Sequence, residues 1–97
     1  MFEKKVMRFM AVSSIHHIKK NYDELEKIMD HYKIYDVDVI YEKRNDIYDL
    51  MGKLENHDVI KNDDFDESSF VEFTSMAYDV FEKIKLLKYK VYHYAID

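Results

Sequence analysis

Residues that break regular structure are almost absent from this chain: its 97 residues include no proline and one glycine, Gly52. Both residue types disfavour helix interiors, so their scarcity is compatible with an all-helical bundle. A single glycine also excludes the glycine-rich phosphate loop and the dinucleotide-binding fingerprint, which need several. A chain of this length has room for one domain, which we assign to residues 1–97.

The clearest helix is predicted over residues 67–86. Ser69 followed by Glu72 is the pattern of a capping box. Lys83 and Lys85 lie in the last turns, where positive charge favours a helix end. Apolar residues recur in this segment at steps of three and four, the period of one helix face: Phe70, Phe73, Ala77, Val80, Phe81 and Ile84.

Two further helices are predicted before this one. The first ends near Lys33, and its start stays open between Ser13 or Ser14 and Asn21, because each of these residues can cap a helix. The second spans residues 45–55. Glycine costs about 1 kcal/mol relative to alanine in a helix, so Gly52 is expected to end or bend it.

Other segments favour strands. Residues 36–42 alternate acidic and apolar side chains, and residues 88–96 are rich in Tyr, Val and Ile, both of which are typical of strands. Residues 4–12 fit a strand or a helix, and residues 58–60 can supply a fourth short strand. The order of these strands and helices along the chain predicts an α+β fold, with a small sheet of three to four strands and helices on one face. An all-α bundle is the alternative.

The sequence offers little for catalysis or cofactor binding. The absence of Cys excludes a disulfide, a thiolate metal site and a thiol nucleophile. The five histidines include no pair at the helical metal-binding spacing, and the acidic run from Asn62 lacks the Gly and Glu of a calcium loop. The serines lack the flanking glycines of a nucleophile elbow. We therefore expect no enzyme activity, no cofactor and no metal site.

Charge is distributed unevenly along the chain, whose net charge is −5. Residues 21–80 carry 17 acids and six bases, whereas residues 1–20 carry five bases and one acid, and residues 81–97 carry four bases and two acids. An acidic middle favours a protein partner with a basic surface over nucleic acid. No apolar run is long enough for a membrane span and no secretory pattern is present, so we expect a cytoplasmic protein.

Tyrosines stand beside acids unusually often, since five of the nine directly precede an Asp or Glu. Tyrosine is enriched at interface hot spots because it buries a large area and keeps a hydroxyl for hydrogen bonding. Neighbouring carboxylates add charge complementarity toward a basic partner. The candidate partner-binding residues are Tyr35, Asp36, Asp38, Tyr48, Asp49, Asp58, Asp63, Asp64, Asp66, Glu67, Tyr78 and Asp79.

These features predict a non-catalytic protein-binding module, a small acidic inhibitor or regulator of a larger protein such as one that handles nucleic acid. The excess of Lys over Arg is typical of an AT-rich genome and fits a phage or mobile-element protein that acts against a host defence. Basic ends and an acidic middle also predict a homodimer. The alternative is a small dimeric nucleic-acid-binding regulator with a basic patch formed by Lys4, Lys5, Arg8, Lys88 and Lys90.

Overall fold

A computed structural model describes residues 3–96, which form four helices joined by short connections. Helix α1 spans Lys4–His31, α2 spans Asp38–Glu55, α3 spans Asp58–Lys61 and α4 spans Glu67–Ile96. No strand forms in residues 3–96. The predicted α+β fold with its small sheet is therefore wrong, and the all-α architecture takes its place.

The three long helices lie side by side in an elongated bundle of 48 × 17 × 16 Å. At 1.5 Å per residue, the 30 residues of α4 extend for about 45 Å, so this helix runs the length of the molecule. Helix α1 runs parallel to it. Lys4 of α1 pairs with Asp64 just before α4 begins, and Glu24 pairs with Lys88 near the opposite end.

Helix α2 is shorter and runs antiparallel to the other two. Arg44, early in α2, faces Glu26 late in α1, whereas Glu55 at the end of α2 lies 3.2 Å from the Nζ atom of Lys19. Its 18 residues cover only about 27 Å of the bundle. The short helix α3 packs beside the remaining N-terminal part of α1, where the fully buried Val59 closes the core.

One continuous apolar cluster forms the core, and no polar or charged residue is buried within residues 3–96. Each long helix contributes a stripe with helical spacing, which is why tertiary packing stabilises all three. No helix in this range is long and apolar enough to span a bilayer. The stripes are Met7, Ala11, Ile18, Tyr22, Leu25 and Met29 in α1, Ile40, Ile47, Met51 and Leu54 in α2, and Phe73, Ala77, Val80, Ile84, Leu87 and Val91 in α4.

The helix predicted over 67–86 is confirmed, but it extends ten residues further through the segment 88–96 that was predicted to be a strand. Leu87 and Val91 continue the buried stripe at steps of three and four from Ile84. Strand propensity spans only about 1 kcal/mol and depends on context, so this packing outweighs it. The tyrosines that suggested a strand lie on the exposed side of α4.

The alternating segment 36–42 was also predicted to be a strand, but it contains the start of α2. Val37 is the N-cap residue, and Asp38 is the first helical residue. Ile40 is buried and stands seven residues before Ile47, so it belongs to the helical stripe. The helix predicted over 45–55 therefore begins earlier, while its end at Glu55 is confirmed and lies three residues beyond Gly52.

The two remaining uncertain segments are helical as well. Segment 4–12 opens α1, because Met7 and Ala11 form a buried pair four residues apart. Segment 58–60, a candidate fourth strand, lies in α3. At the other end of α1, Lys33 adopts a positive φ of 55° and lets the Ile34 amide donate to the Met29 carbonyl, as in a Schellman motif.

Candidate functional site

The charged and metal-ligating side chains of the described residues lie on the surface. Within residues 3–96, no group of three or more His, Cys, Asp or Glu residues stands close enough to hold a metal ion. No acidic or basic residue in this range is fully buried. What distinguishes the molecule is its surface, where the twelve candidate partner-binding residues separate into three regions.

The first region is the acidic segment 58–67, whose carboxylates are largely used within the fold. The Nζ atom of Lys4 donates to Oδ1 of Asp64 at 2.7 Å, and the Nη1 atom of Arg8 donates to Oδ1 of Asp63 at 2.8 Å. The Lys4 ammonium holds the pKa of Asp64 below its ordinary value. These contacts attach the start of α1 to the connection before α4.

Two further acids of this segment shape helix ends. Asp66 precedes α4, and its Oδ1 atom accepts from the Ser68 hydroxyl at 2.8 Å and the Ser69 amide at 2.9 Å. These hydrogen bonds lower the pKa of Asp66. Asp66 is thus the cap of α4, and Glu67 follows it in the first turn.

The predicted capping box between Ser69 and Glu72 does not form. The carboxylate of Glu72 instead lies 2.8 Å from the Nε2 atom of His57, whose other ring nitrogen accepts from the Val59 amide at the start of α3. Asp58 accepts a hydrogen bond from the side chain of Asn62 at 2.8 Å. The segment 58–67 therefore connects α3 to the bundle through four of its five acids, of which Asp63 and Asp64 pair with cations while Asp58 and Asp66 accept from neutral groups.

The second region lies along the outer side of α2 and the connection before it. We call it the α2 face. Its residues on α2 recur at steps of three and four, which places them on one side of the helix, and all are exposed. Five of the twelve candidate residues meet here and two neighbours join them, so that the α2 face comprises Tyr35, Asp36, Asp38, Tyr41, Glu42, Tyr48 and Asp49.

The carboxylates of the α2 face have no internal cation partner. Within residues 3–96, no Lys, Arg or His nitrogen lies within 4.0 Å of any of the four. Arg44 lies on the same helix but is engaged elsewhere. Its guanidinium lies 4.5 Å from the ring centroid of Tyr41 and is directed toward Glu26, 3.7 Å away. The α2 face therefore retains its negative charge.

Packing against a buried aromatic ring holds Tyr48 of the α2 face in position. The ring centroid of Tyr48 lies 6.1 Å from that of the buried Tyr22. Burial, followed by a hydrogen bond with Glu26, raises the pKa of Tyr22, so its hydroxyl stays neutral. Tyr48 itself is 63% exposed. A ring supported on one side and open on the other suits a contact surface, because little freedom is lost on binding.

The third region holds Tyr78 and Asp79 of α4, which do not join the α2 face. Tyr78 lines a shallow groove of about 230 Å³ between α1 and α4, where the ring of Phe81 stacks on His17 at 4.9 Å. Asp79 pairs with Lys83 one turn later at 2.7 Å. Neither Tyr78 nor Asp79 is therefore part of the α2 face.

The basic patch of the nucleic-acid alternative does not assemble. Lys4 and Arg8 lie beside the acidic segment, whereas Lys88 donates to Glu24 at 3.0 Å, 20 residues further along α1. Twenty helical residues correspond to about 30 Å. Lys88 also lowers the pKa of Glu24, so the positive charge of Lys88 is already paired.

A groove of about 510 Å³ separates α2 from α4 and was not expected from the sequence. Its floor is apolar and its rim carries lysines. We call it the α2–α4 groove. The side chains that define it are Ile47, Leu86 and Leu87 on the floor and Lys43, Lys83 and Lys90 on the rim.

Part of the α2 face carried a signal in the sequence. Tyr41 and Glu42 form one of the tyrosine–acid pairs, but the strand predicted over 36–42 separated them from Tyr48. A helical spacing from Asp38 to Asp49 would have joined them. The α2–α4 groove had no such signal, because it depends on how two distant helices pack. No family model, curated protein or solved structure matches this chain.

Proposed function

We propose that this chain is a non-catalytic protein-binding module that contacts a partner with a basic surface through the α2 face. The observation that carries the proposal is the set of four exposed carboxylates without internal cation partners beside three exposed tyrosines. Such a surface combines the charge that steers association with the side chains that supply contact energy.

The mode of action follows from this chemistry. A rigid acidic surface occupies basic sites on its partner, so it acts as an inhibitor or regulator by covering them. Electrostatic attraction raises the association rate, and it is screened by salt over about 8 Å at physiological ionic strength. The tyrosines, of which Tyr48 is the most exposed on α2, supply contact area and hydroxyl hydrogen bonds after encounter.

The experiment is quantitative affinity purification of the tagged chain from its native host, followed by mass spectrometry. Wild type is compared with the double variant Tyr48→Ala/Asp49→Asn. The matched control is Tyr78→Ala/Glu67→Gln, because Tyr78 is 70% exposed and Glu67 is also exposed, but both lie away from α2. Thermal unfolding by circular dichroism verifies that both variants are folded.

The proposal predicts that a protein with a basic surface is recovered with wild type and with the control. Its recovery falls about tenfold with the α2-face variant, as is usual when a hot-spot aromatic and a neighbouring charge are lost together. Its recovery also falls as salt is raised. Equal recovery with the two double variants, or recovery that is insensitive to salt, contradicts the proposal.

A further inference from the structure

The α2–α4 groove leaves apolar side chains open to solvent between two helices. Leu86 and Tyr89, which line it, are 65% and 66% exposed, although both lie inside α4 rather than at its end. Exposed apolar side chains that cluster beside a concave surface mark a contact site more often than isolated ones do. The volume of about 510 Å³ falls within the range of natural binding sites.

The charge around this groove is opposite to that of the whole molecule. The titratable residues that line it are Lys43, Lys83, Lys90 and His93, against the single acid Asp46, while the net charge of the chain is −5. Lys83 is already paired with Asp79. Within residues 3–96, no carboxylate lies within 4.0 Å of Lys43 or Lys90, which stand on the two sides of the groove.

The groove has the shape that receives a helix. It lies between two antiparallel helices, and a further helix packed along it extends a three-helix arrangement to a four-helix one. Amphipathic helices bind such grooves through an apolar stripe at positions i, i+3, i+4 and i+7. Lys43 and Lys90 stand on the two sides of the groove, so acidic residues on both sides of that stripe can meet them.

We infer that the α2–α4 groove binds an amphipathic helix of a partner protein whose apolar stripe is flanked by acidic residues. The lysine rim selects acidic flanks, and Leu86 with Leu87 receives the apolar stripe. A fatty acid fits less well, because the groove is open to solvent and small-molecule sites enclose most of their ligand. A second copy of this chain would have to place one of its own acidic surfaces against the lysine rim, and such a heterologous contact builds a ring or a filament rather than a two-fold dimer.

The test uses fluorescence anisotropy with a labelled helical peptide that has leucine at i, i+3, i+4 and i+7 and glutamate on its other face. Two peptides serve as controls: one with glutamine in place of each glutamate, because a lysine-rich peptide would bind the acidic α2 face, and one of the same composition in scrambled order. The inference predicts saturable binding of the acidic peptide to the full chain, and affinity about tenfold weaker for each control peptide.

Matched protein variants locate the site. Lys43→Glu/Lys90→Glu reverses two rim charges, and Lys5→Glu/Lys85→Glu makes the same change on exposed lysines outside the groove. Leu86→Ser is matched by Val71→Ser, since Val71 is 61% exposed on the same helix. Each groove variant is expected to weaken binding about tenfold, and each control variant to leave it within about twofold.

Three results would overturn the inference: no saturable binding of the acidic peptide, equal binding of the acidic and glutamine peptides, or equal affinity in the groove and control variants. Light scattering supplies a fourth, because self-association that the groove variants abolish assigns the groove to a second copy. The α2 face is unchanged in all of these variants. Failure here therefore leaves the proposed binding to a basic partner standing, and failure of that proposal leaves this one standing.

Discussion

The acidic segment 58–67 and the α2 face carry the same kinds of charged side chain but use them differently. In the segment, Asp63 and Asp64 pair with Arg8 and Lys4, and Asp66 caps a helix. On the α2 face, the carboxylates have no cation within 4.0 Å among the described residues. The comparison teaches that dense acidic charge in a sequence can be structural, while acids spaced along a helix remain free to bind.

The largest expected effect comes from Arg8, which ties α1 to the acidic segment. Its Nε atom donates to the Val59 carbonyl at 3.2 Å, and its other nitrogens donate to Asn62 and Asp63. Arg8→Ala is expected to lower the free energy of unfolding by about 1–2 kcal/mol, because it removes the part-buried hydrogen bond to the Val59 carbonyl and two exposed charged hydrogen bonds. Urea unfolding followed by circular dichroism measures it.

The control for this change is Asp49→Asn on the α2 face, which is expected to alter stability by less than about 0.5 kcal/mol, as exposed surface substitutions usually do. If Arg8→Ala and Asp49→Asn have equal effects, the acidic segment has no special structural role. The contrast between the two regions would then be lost.

Substitution of Gly52 tests whether α2, which carries the α2 face, is a regular and rigid helix. A Cβ added there meets nothing within 4 Å, and the backbone does not have a positive φ. Gly52→Ala is therefore expected to raise the free energy of unfolding by about 0.5–1 kcal/mol, because alanine loses less backbone freedom in a helix. Lys53→Ala is the control, since lysine and alanine have similar helix propensity. Destabilisation by Gly52→Ala would show that α2 needs local flexibility.

The smallest expected effect concerns the pH dependence of the acidic segment. Because Lys4 lowers the pKa of Asp64 in the folded state, this carboxylate stabilises the fold above its unfolded pKa of about 4 and loses that contribution as the pH falls through its folded value. Asp64→Asn should lower Tm slightly at neutral pH, and the difference should vanish at lower pH. A constant difference from neutral to acidic pH would contradict this assignment.

The matched variant for this pH series is Asp49→Asn on the α2 face. No cation within the described residues lies within 4.0 Å of Asp49, so its neutralisation is expected to leave Tm nearly unchanged at each pH. A pH-dependent loss as large as that of Asp64→Asn would place an unrecognised internal partner beside Asp49.

The parts of the fold that could be predicted are the segments in which apolar residues recur with the helical period over several turns. Phe73, Ala77 and Val80 gave the helix that became α4, and the end of α2 at Glu55 also followed from its apolar spacing. The predicted strands were wrong because the preference of β-branched and aromatic residues for strands amounts to only about 1 kcal/mol. In segment 88–96 that preference was outweighed by burial of Val91, which is fully excluded from solvent.

The candidate partner-binding residues stay a prediction, and the structure adds their places. Asp38, Tyr48 and Asp49 lie on one side of α2, and Tyr35 and Asp36 precede that helix. Asp63 and Asp64 of the acidic segment instead form ion pairs within the fold. Their internal partners Lys4 and Arg8 are more than 50 residues away, so no local pattern could reveal the pairing.

The sequence by itself determined that the chain has room for one domain, that it contains almost no helix-breaking residues and that its middle is acidic. The absence of cysteine also excluded thiol chemistry. Tertiary packing decided which charges are neutralised and which apolar residues stay exposed. The physical reason is that helix period is a local property read along the chain, whereas an ion pair or a groove such as that between α2 and α4 depends on the relative placement of helices far apart in sequence.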